Sequence, residues 1–131
     1  MKDVISAQAW IAVQESSLVI FLIDGSEELT KVDQDIFENL RKFDKEFLTV
    51  LNKIDKKTQT SVKEDIYKNG IKDFFEISAE HSINLSNLKS FLEKKIPERI
   101  DDLTDDKKVA ILGRTNAGKS TFINQLVNQD R

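Results

Sequence analysis

The chain has 131 residues, of which 39% are hydrophobic, and this is enough to bury the core of one domain. Its formal net charge of -3 and its pI of about 5.2 provide no basic excess for nucleic acid phosphates, so no direct nucleic-acid site is evident. The absence of cysteine excludes disulfides and thiolate metal sites. Polar residues interrupt the N-terminal apolar pattern, and no apolar run approaches the roughly 20 residues of a membrane helix. We therefore expect a soluble, cytoplasmic protein without a membrane contact.

Periodicity in the first part of the chain indicates helices and strands in alternation. Val4, Ala7 and Ile11 recur at helical spacing and predict a helix over residues 3–15 with one apolar face. The continuous apolar run at residues 18–23 predicts a strand that is buried on both faces of a parallel sheet.

Turn and capping residues set the next boundaries. Asp24 and Gly25 are typical of a turn that ends a strand. Thr30 and Asp33 have the spacing of a capping box and predict the start of a second helix. The apolar segment at residues 47–51 predicts the next strand.

The same alternation continues to about residue 96. Ser61 and Glu64 form another capping-box pattern, which predicts a helix that starts there and stops at residues 69–70. Residues 74–77 predict a third strand, and a further amphipathic helix is predicted by Leu85, Leu88, Leu92 and Ile96. Because strands and helices alternate throughout, we expect an α/β fold with a parallel sheet.

The composition changes at residues 97–107, where acidic residues are frequent and periodicity is weak. We interpret this stretch as an acidic linker between a first part, residues 1–96, and a second part, residues 108–131. In the second part, residues 109–112 predict a buried strand that is followed by a glycine-containing loop and a helix.

Residues 113–120 match the pattern G-x-x-x-x-G-K-[ST] in the required setting, between a buried strand and a helix. The two glycines permit a tight turn whose N–H groups point at phosphates, and Lys119 adds a positive charge. Ser120 supplies the hydroxyl that such sites use to hold Mg²⁺. The expected phosphate contacts are Gly113, Arg114, Thr115, Asn116, Ala117, Gly118, Lys119, Ser120 and Thr121.

The side chains of Arg114 and Thr115 occupy variable positions of this pattern, so we expect them to face solvent. The structural alternative for the whole segment is a glycine-rich turn with an incidental Lys-Ser pair. The agreement of four specified positions with the flanking elements favours the phosphate loop.

Asn52-Lys53-Ile54-Asp55 follows the second predicted strand and resembles the NKxD motif of GTPases. A carboxylate at Asp55 can accept the ring N–H and the amino group of guanine, whereas adenine lacks that pair of donors. We expect Asn52 to tie the base edge to neighbouring loops and the stem of Lys53 to lie along the base. Taken alone, the four residues are equally typical of a turn that ends a strand.

Ser78-Ala79-Glu80 follows the third predicted strand and resembles the SA[KE] loop of the same family, in which a backbone N–H meets the guanine carbonyl oxygen. The resemblance therefore adds Ser78 and Ala79 to the expected base contacts. His81, the sole histidine, is expected to be exposed rather than catalytic.

The order of these motifs is the reverse of that in an ordinary GTPase, where the phosphate loop comes first. The chain resembles the Der (EngA) family of the TrmE-Era-EngA-like class, tandem GTPases whose two G domains are joined by an acidic linker. Residues 3–96 resemble the second half of the first domain, and residues 108–131 the start of the second. The resemblance thus implies an internal fragment with an incomplete P-loop NTPase-type sheet and flanking helices. Its most specific segment is KVAILGRTNAGKSTFINQL, which departs from the usual GRPNVGKS at the spacer positions Thr115 and Ala117.

A circularly permuted GTPase, in which this motif order is native, is the alternative within the same fold. No aspartate is followed by a glycine three residues later, so the chain has no DxxG motif, and it has no switch threonine segment. We therefore expect the chain alone not to be catalytic. Two interpretations outside the GTPase enzymes are a non-catalytic guanine-nucleotide binder and an α/β interaction module whose motifs are remnants.

The family resemblance also implies cofactors and partners. It implies GTP hydrolysis by the parent protein, GTP or GDP bound with Mg²⁺, and a role in assembly of the large ribosomal subunit. RNA would be contacted partly by a KH-like domain beyond residue 131. Asn116 matches a loop asparagine that helps to bind K⁺ in potassium-stimulated relatives, and a structural role in the loop is an equal alternative.

In the GTPase sheet, the strand before the phosphate loop lies beside the strand that residues 18–23 resemble. We therefore hypothesise that residues 109–112 pair with residues 18–23 and complete a four-stranded sheet. In this arrangement Lys119, Asp55 and Ala79 would share one composite nucleotide site. In the full protein, by contrast, we expect the two motifs to serve separate nucleotides.

Overall fold

The computed structural model describes residues 5–57, 60–95 and 108–128, so the linker predicted at residues 97–107 lies outside the described ranges. Within them, five helices and four strands form an α/β fold, as predicted, and all strand pairings are parallel. The strand order is β3-β2-β1-β4. In chain order the elements are α1 (Ala7–Glu15), β1 (Leu18–Asp24), α2 (Lys31–Lys42), β2 (Phe47–Asn52), α3 (Thr60–Lys68), β3 (Phe75–Glu76), α4 (Leu85–Lys95), β4 (Val109–Leu112) and α5 (Lys119–Val127).

β1 is a central strand of the sheet, and all seven of its residues are buried. It pairs with β2 on one edge and with β4 on the other, where Leu18 is opposite Val109 and Phe21 is opposite Leu112. Its continuous apolar run is explained by this position, because helices cover both faces of a parallel sheet. The pairing of β4 with β1, hypothesised from the motif order, is confirmed.

The two faces of the sheet bury separate cores. On one face, Val19, Phe21 and Ile23 of β1 pack against α1, α2 and α3 through Val13, Ile36, Phe37, Leu40, Val62 and Ile66. On the other face, Ile20 and Leu22 pack with residues of α4, α5 and the adjoining loops, including Ile77, Ala79, Leu85, Leu88, Ala117 and Phe122. No helix of the described residues is long and apolar enough to cross a bilayer.

α1 buries a different face from the one that the spacing predicted. Val13 is fully buried and Trp10 is partly buried against the same core, whereas Ala7 is exposed and Ile11 is 53% exposed. Val4, the third member of the predicted face, lies outside the described residues. The prediction is wrong because apolar residues occur on several sides of this helix, so that spacing alone does not select the buried one.

The two predicted capping boxes have different outcomes. At the start of α2, the Thr30 hydroxyl accepts a hydrogen bond from Asp33 N, and the Asp33 carboxylate accepts one from Thr30 N at 2.9 Å, so this box is confirmed. α3 begins at Thr60, which places Ser61 inside its first turn, so the box predicted for Ser61 and Glu64 is wrong. Helix ends vary by one or two residues, and a cap is secure only when its hydrogen bonds are present. β3 is shorter than predicted, with only two residues.

Candidate functional site

The carboxyl ends of the parallel strands meet at one edge of the sheet, and the loop at residues 113–118 lies there. A side chain at Gly113 would place its Cβ 2.6 Å from Leu22 O, so only glycine fits at this close approach to β1. Thr115–Ala117 form a 3₁₀ turn, and Gly118 follows with a φ of 89°. The expected sequence of strand, tight loop and helix is therefore present.

Lys119 and the first turn of α5 give this loop its positive character. Lys119 Nζ donates to Gly113 O at 2.5 Å and to Arg114 O at 3.4 Å, so the ammonium is folded over the loop. Ser120 and Thr121 are exposed in the first turn of α5. The unpaired N–H groups and the dipole at a helix N-terminus favour an anion, and the Lys119 charge acts in the same direction.

Asn52 ends β2 and connects two loops from the interior, where it is only 3% exposed. Its Oδ1 accepts a hydrogen bond from Ala79 N at 2.9 Å, and its Nδ2 donates to Ala117 O at 2.9 Å. A Cβ at Gly118 would lie 2.8 Å from Asn52 Nδ2, so glycine there makes room for this bridge as well as for the positive φ. The side chain of Asn52 thus joins two neighbouring loops, one of which is the loop after β4.

Lys53 makes a second connection to that loop. Its backbone has a φ of 68°, and its Nζ donates to Asn116 O at 2.6 Å and to Asp24 Oδ2 at 3.1 Å. Burial raises the pKa of Asp24, but hydrogen bonds from Ser26 and Lys53 outweigh it and leave that pKa below its ordinary value. Asp24 accepts from Ser26 N, so the predicted turn is present. The ion pair of Asp24 with Lys53 was not predicted. The signal in the sequence that could have indicated it is the carboxylate at the end of a buried strand.

Asp55 lies in the turn after β2 and faces the loop at residues 78–81. A hydrogen bond from the Ser78 hydroxyl lowers the pKa of Asp55, and the charges of His81 and Lys56 act in the same direction. Asp55 Oδ2 lies 3.4 Å from His81 Nε2, whose side chain is 56% exposed, so the expected exposure of His81 is confirmed. The Asp55 carboxylate is therefore ionised at neutral pH and can accept two N–H donors.

Arg114 is the loop residue whose solvent exposure was predicted wrongly from the sequence pattern. Thr115 is exposed as expected, but the Arg114 side chain is only 8% exposed. Its Nε lies 3.2 Å from Oδ2 of Asp33, in the first turn of α2. Burial raises the pKa of Asp33 even though a hydrogen bond from Thr30 and the charge of Arg114 lower it. A variable position of the motif does not indicate an ion-pair partner such as Asp33, because that residue is distant in the sequence and comes close only when the chain folds.

The structure thus brings together the two sets of residues that the motifs singled out. The loop at residues 113–120 offers backbone N–H groups, an ammonium and a hydroxyl at one side of the sheet edge. The turn at residues 52–55 and the loop at residues 78–81 offer a carboxylate and a buried amide next to it. Asn52 and Lys53 join both sides through hydrogen bonds to Ala117 and Asn116.

Two family models match different parts of the chain. The model described as "50S ribosome-binding GTPase" matches residues 108–131. The model described as "Ethanolamine utilisation - propanediol utilisation" matches residues 2–94.

Similar curated proteins align along nearly the whole chain. GTPase Der of Thermotoga sp. (strain RQ2) is 38% identical over 127 residues, GTPase Der of Geotalea daltonii is 35% identical over 126, and GTPase Der of Legionella pneumophila (strain Lens) is 39% identical over 129. These alignments cover 91%, 95% and 96% of this chain, but 29%, 29% and 28% of the relatives. The chain therefore spans less than a third of the length of the relatives that it matches.

Proposed function

Because the chain belongs to the GTPases, with residues 2–94 in the family described as "Ethanolamine utilisation - propanediol utilisation", we propose that it binds a guanine nucleotide in one composite site. That description concerns other proteins, and the ligand proposed for this chain follows from the motifs and their geometry. The observation that carries the proposal is the pair of hydrogen bonds from Asn52 to Ala117 O and from Lys53 to Asn116 O. Because these bonds hold the turn at residues 52–55 against the loop at residues 113–120, one nucleotide can reach both.

The base is selected by Asp55 in this proposal. Its ionised carboxylate accepts the ring N–H and the amino group of guanine, and adenine leaves the same carboxylate without those donors. The Lys53 stem lies along the base. Ala79 N–H, which the resemblance assigns to the guanine carbonyl oxygen, donates to Asn52 Oδ1, so guanine would share this donor. Ser78 supports the base pocket through its hydrogen bond to Asp55.

The phosphates are held by the loop at residues 113–121. Its N–H groups and the N-terminus of α5 favour the anion, and Lys119 supplies the point charge. A cleft of about 230 Å³ opens beside Lys119 and Thr115, and Ser6 also lines it. The exposed Ser120 hydroxyl in the first turn of α5 fits Mg²⁺, which prefers oxygen ligands together with phosphate oxygens. When bound, Mg²⁺ would neutralise part of the phosphate charge.

Asn116 is the residue proposed for K⁺. It is exposed in the 3₁₀ turn, and its carbonyl accepts the hydrogen bond from Lys53. The exposed side-chain amide offers an oxygen ligand of the kind that suits a monovalent cation. A role in shaping the loop, through that same carbonyl, is the equal alternative.

For the parent protein we propose GTP hydrolysis and a role in assembly of the large ribosomal subunit, in the cytoplasm. The resemblance to Der proteins and the model described as a "50S ribosome-binding GTPase" support this proposal. Residues 1–96 would then be the second half of one G domain, residues 97–107 the linker and residues 108–131 the start of the next. Since the chain has no DxxG motif, we expect no GTP turnover by the chain alone.

A circularly permuted GTPase is the second candidate, because that motif order requires the pairing of β4 with β1 within one sheet. The coding sequence on each side separates the two candidates. A phosphate loop and a DxxG motif upstream would support the tandem GTPase, whereas a DxxG motif found only downstream would support the permuted one.

Calorimetric titration of the 131-residue chain with GDP and ADP tests the proposal. We expect GDP to bind with a stoichiometry of one, and Asp55→Asn to weaken GDP by about tenfold or more, because an amide cannot accept both guanine donors. Asp73→Asn is the matched control, since it changes an exposed carboxylate in the same way. Equal affinity for GDP and ADP would contradict guanine selectivity, and no heat with either would support the interaction module.

A further inference from the structure

The Arg114 side chain leaves the phosphate loop and enters the protein interior. Its Nε lies 3.2 Å from Asp33 Oδ2, and the Asp33 side chain is only 1% exposed. At the rim, Arg114 Nη1 lies 3.5 Å from Oε2 of Glu27, whose side chain is 53% exposed. Arg114 thus connects the loop to the segment between β1 and the first turn of α2, residues 24–33.

This β1–α2 segment also contacts the base-reading motif. At its first residue, Asp24 Oδ2 accepts the hydrogen bond from Lys53 Nζ at 3.1 Å. At its last residue, Asp33 is fixed by the capping box with Thr30. One short segment therefore contacts the proposed base half of the site at one end and the proposed phosphate half at the other.

A contribution to stability does not account for the Arg114–Asp33 ion pair. In the described part of the chain, Arg114 Nε and Nη2 and Asp33 Oδ1 have no hydrogen-bond partner, so the contact is an ion pair without full hydrogen bonding. The desolvation of two buried charges commonly offsets their attraction, so such a pair is weak support for a stabilising role.

The main chain of Arg114 shows what the pair does for the loop. Arg114 O accepts hydrogen bonds from Ala117 N at 3.1 Å and from Lys119 Nζ at 3.4 Å. The first bond closes the 3₁₀ turn, and the second helps to direct the ammonium. A displacement of Arg114 would therefore change the direction of the groups proposed to hold phosphates.

We propose that Arg114 is a positioning residue, anchored by Asp33, that fixes the phosphate loop in its anion-binding shape. The inference rests on the proposed function, since it assigns a cause to the geometry of the same site. The base half keeps the bonds of Asn52 with Ala79 and of Ser78 with Asp55, neither of which involves Arg114 or its turn. Loss of the Arg114 charge should thus affect phosphate binding alone.

Titrations of the full chain with inorganic pyrophosphate, guanosine and GDP, followed by amide NMR shifts, test this separation. Arg114→Met removes the charge and keeps most of the stem. We expect it to weaken pyrophosphate and GDP by about tenfold or more, because small misplacements of binding groups are costly, and to leave guanosine affinity unchanged. Arg41→Met on α2, where the guanidinium contacts Asn69 at the surface, should leave all three affinities unchanged.

Two further variants distinguish positioning from a structural role. Because Arg114 acts through Asp33, the double variant R114M/D33N should bind pyrophosphate no more weakly than R114M alone. Arg114→Lys keeps the charge but lacks the planar fork, so it should fold and weaken pyrophosphate severalfold without affecting guanosine.

The outcomes separate this inference from the proposed function. If the unaltered chain binds GDP, two results would overturn the positioning role alone. One is an equal loss of affinity for guanosine and pyrophosphate in R114M and R114K, and the other is no loss of affinity for either ligand in these variants. Failure of the unaltered chain to bind GDP would overturn the proposed function and the inference that rests on it.

Discussion

Replacement of Asn52 by alanine should separate the loops that its side chain joins. Asn52 is 3% exposed, and its amide satisfies Ala79 N–H and Ala117 O, which belong to residues 1% and 0% exposed. A buried polar group left without a partner costs about 1–3 kcal/mol, so two such groups predict a loss of about 2–6 kcal/mol in the free energy of unfolding. This is a large part of the stability of a small domain.

Urea unfolding followed by circular dichroism measures this loss, and Asn39→Ala provides the matched control. The Asn39 amide donates to Asp35 O at an exposed position of α2, so its loss should change stability by about 0.5 kcal/mol or less. Asn52→Asp separates the two bonds, because it retains an acceptor for Ala79 N–H but places an oxygen against Ala117 O. Equal effects of N52A and N39A would refute the assignment of a structural bridge to Asn52.

Three further substitutions test other parts of the fold. Gly118→Ala should lower the free energy of unfolding by about 1 kcal/mol or more beyond the effect of Gly70→Ala, as measured by urea unfolding. Both glycines have a positive φ, but only at residue 118 would the new Cβ meet a close neighbour. Val13→Ala should lower the free energy of unfolding by about 1–3 kcal/mol and Ile11→Ala by about 0.5 or less, which checks the buried face of α1. Folding raises the pKa of Asp33 above 3.8, so the folded protein binds this proton more tightly than the unfolded chain does. The free energy of unfolding of the wild type, relative to that of D33N, should therefore fall as the pH rises above 3.8. An opposite trend in urea unfolding measured across this pH range would contradict the burial argument.

Strands and site-bearing turns were predictable because local chemistry specifies them. The apolar run of β1 allows only an element buried on both faces, and its observed burial follows. The glycines at 113 and 118 specify a tight loop before α5, and the structure adds the reason for each, which is contact with Leu22 O or with Asn52. The position of β4 beside β1 followed from the motif order together with the resemblance to the GTPase sheet, and not from the local periodicity of β4.

The parts that sequence could not specify depend on partners distant in the chain. The buried face of α1 was mispredicted because apolar residues surround that helix, and contact with the sheet selects Val13 over Ile11. Arg114 was expected in solvent because it occupies a variable position of the phosphate-loop pattern, and its acidic partner Asp33 lies in a different motif. Neither the spacing nor the residue type of Arg114 carries information about such a contact.

The strand neighbours of β1 join it across very different lengths of chain. Val19 pairs with Phe47, and Leu18 pairs with Val109, so the second contact encloses about three times as many residues. The entropy of loop closure rises only with the logarithm of length, so this difference costs about 1 kcal/mol. Rates are more sensitive than equilibria to such long-range contacts, so β4 should join last during folding and the proposed phosphate cradle should mature after the guanine pocket.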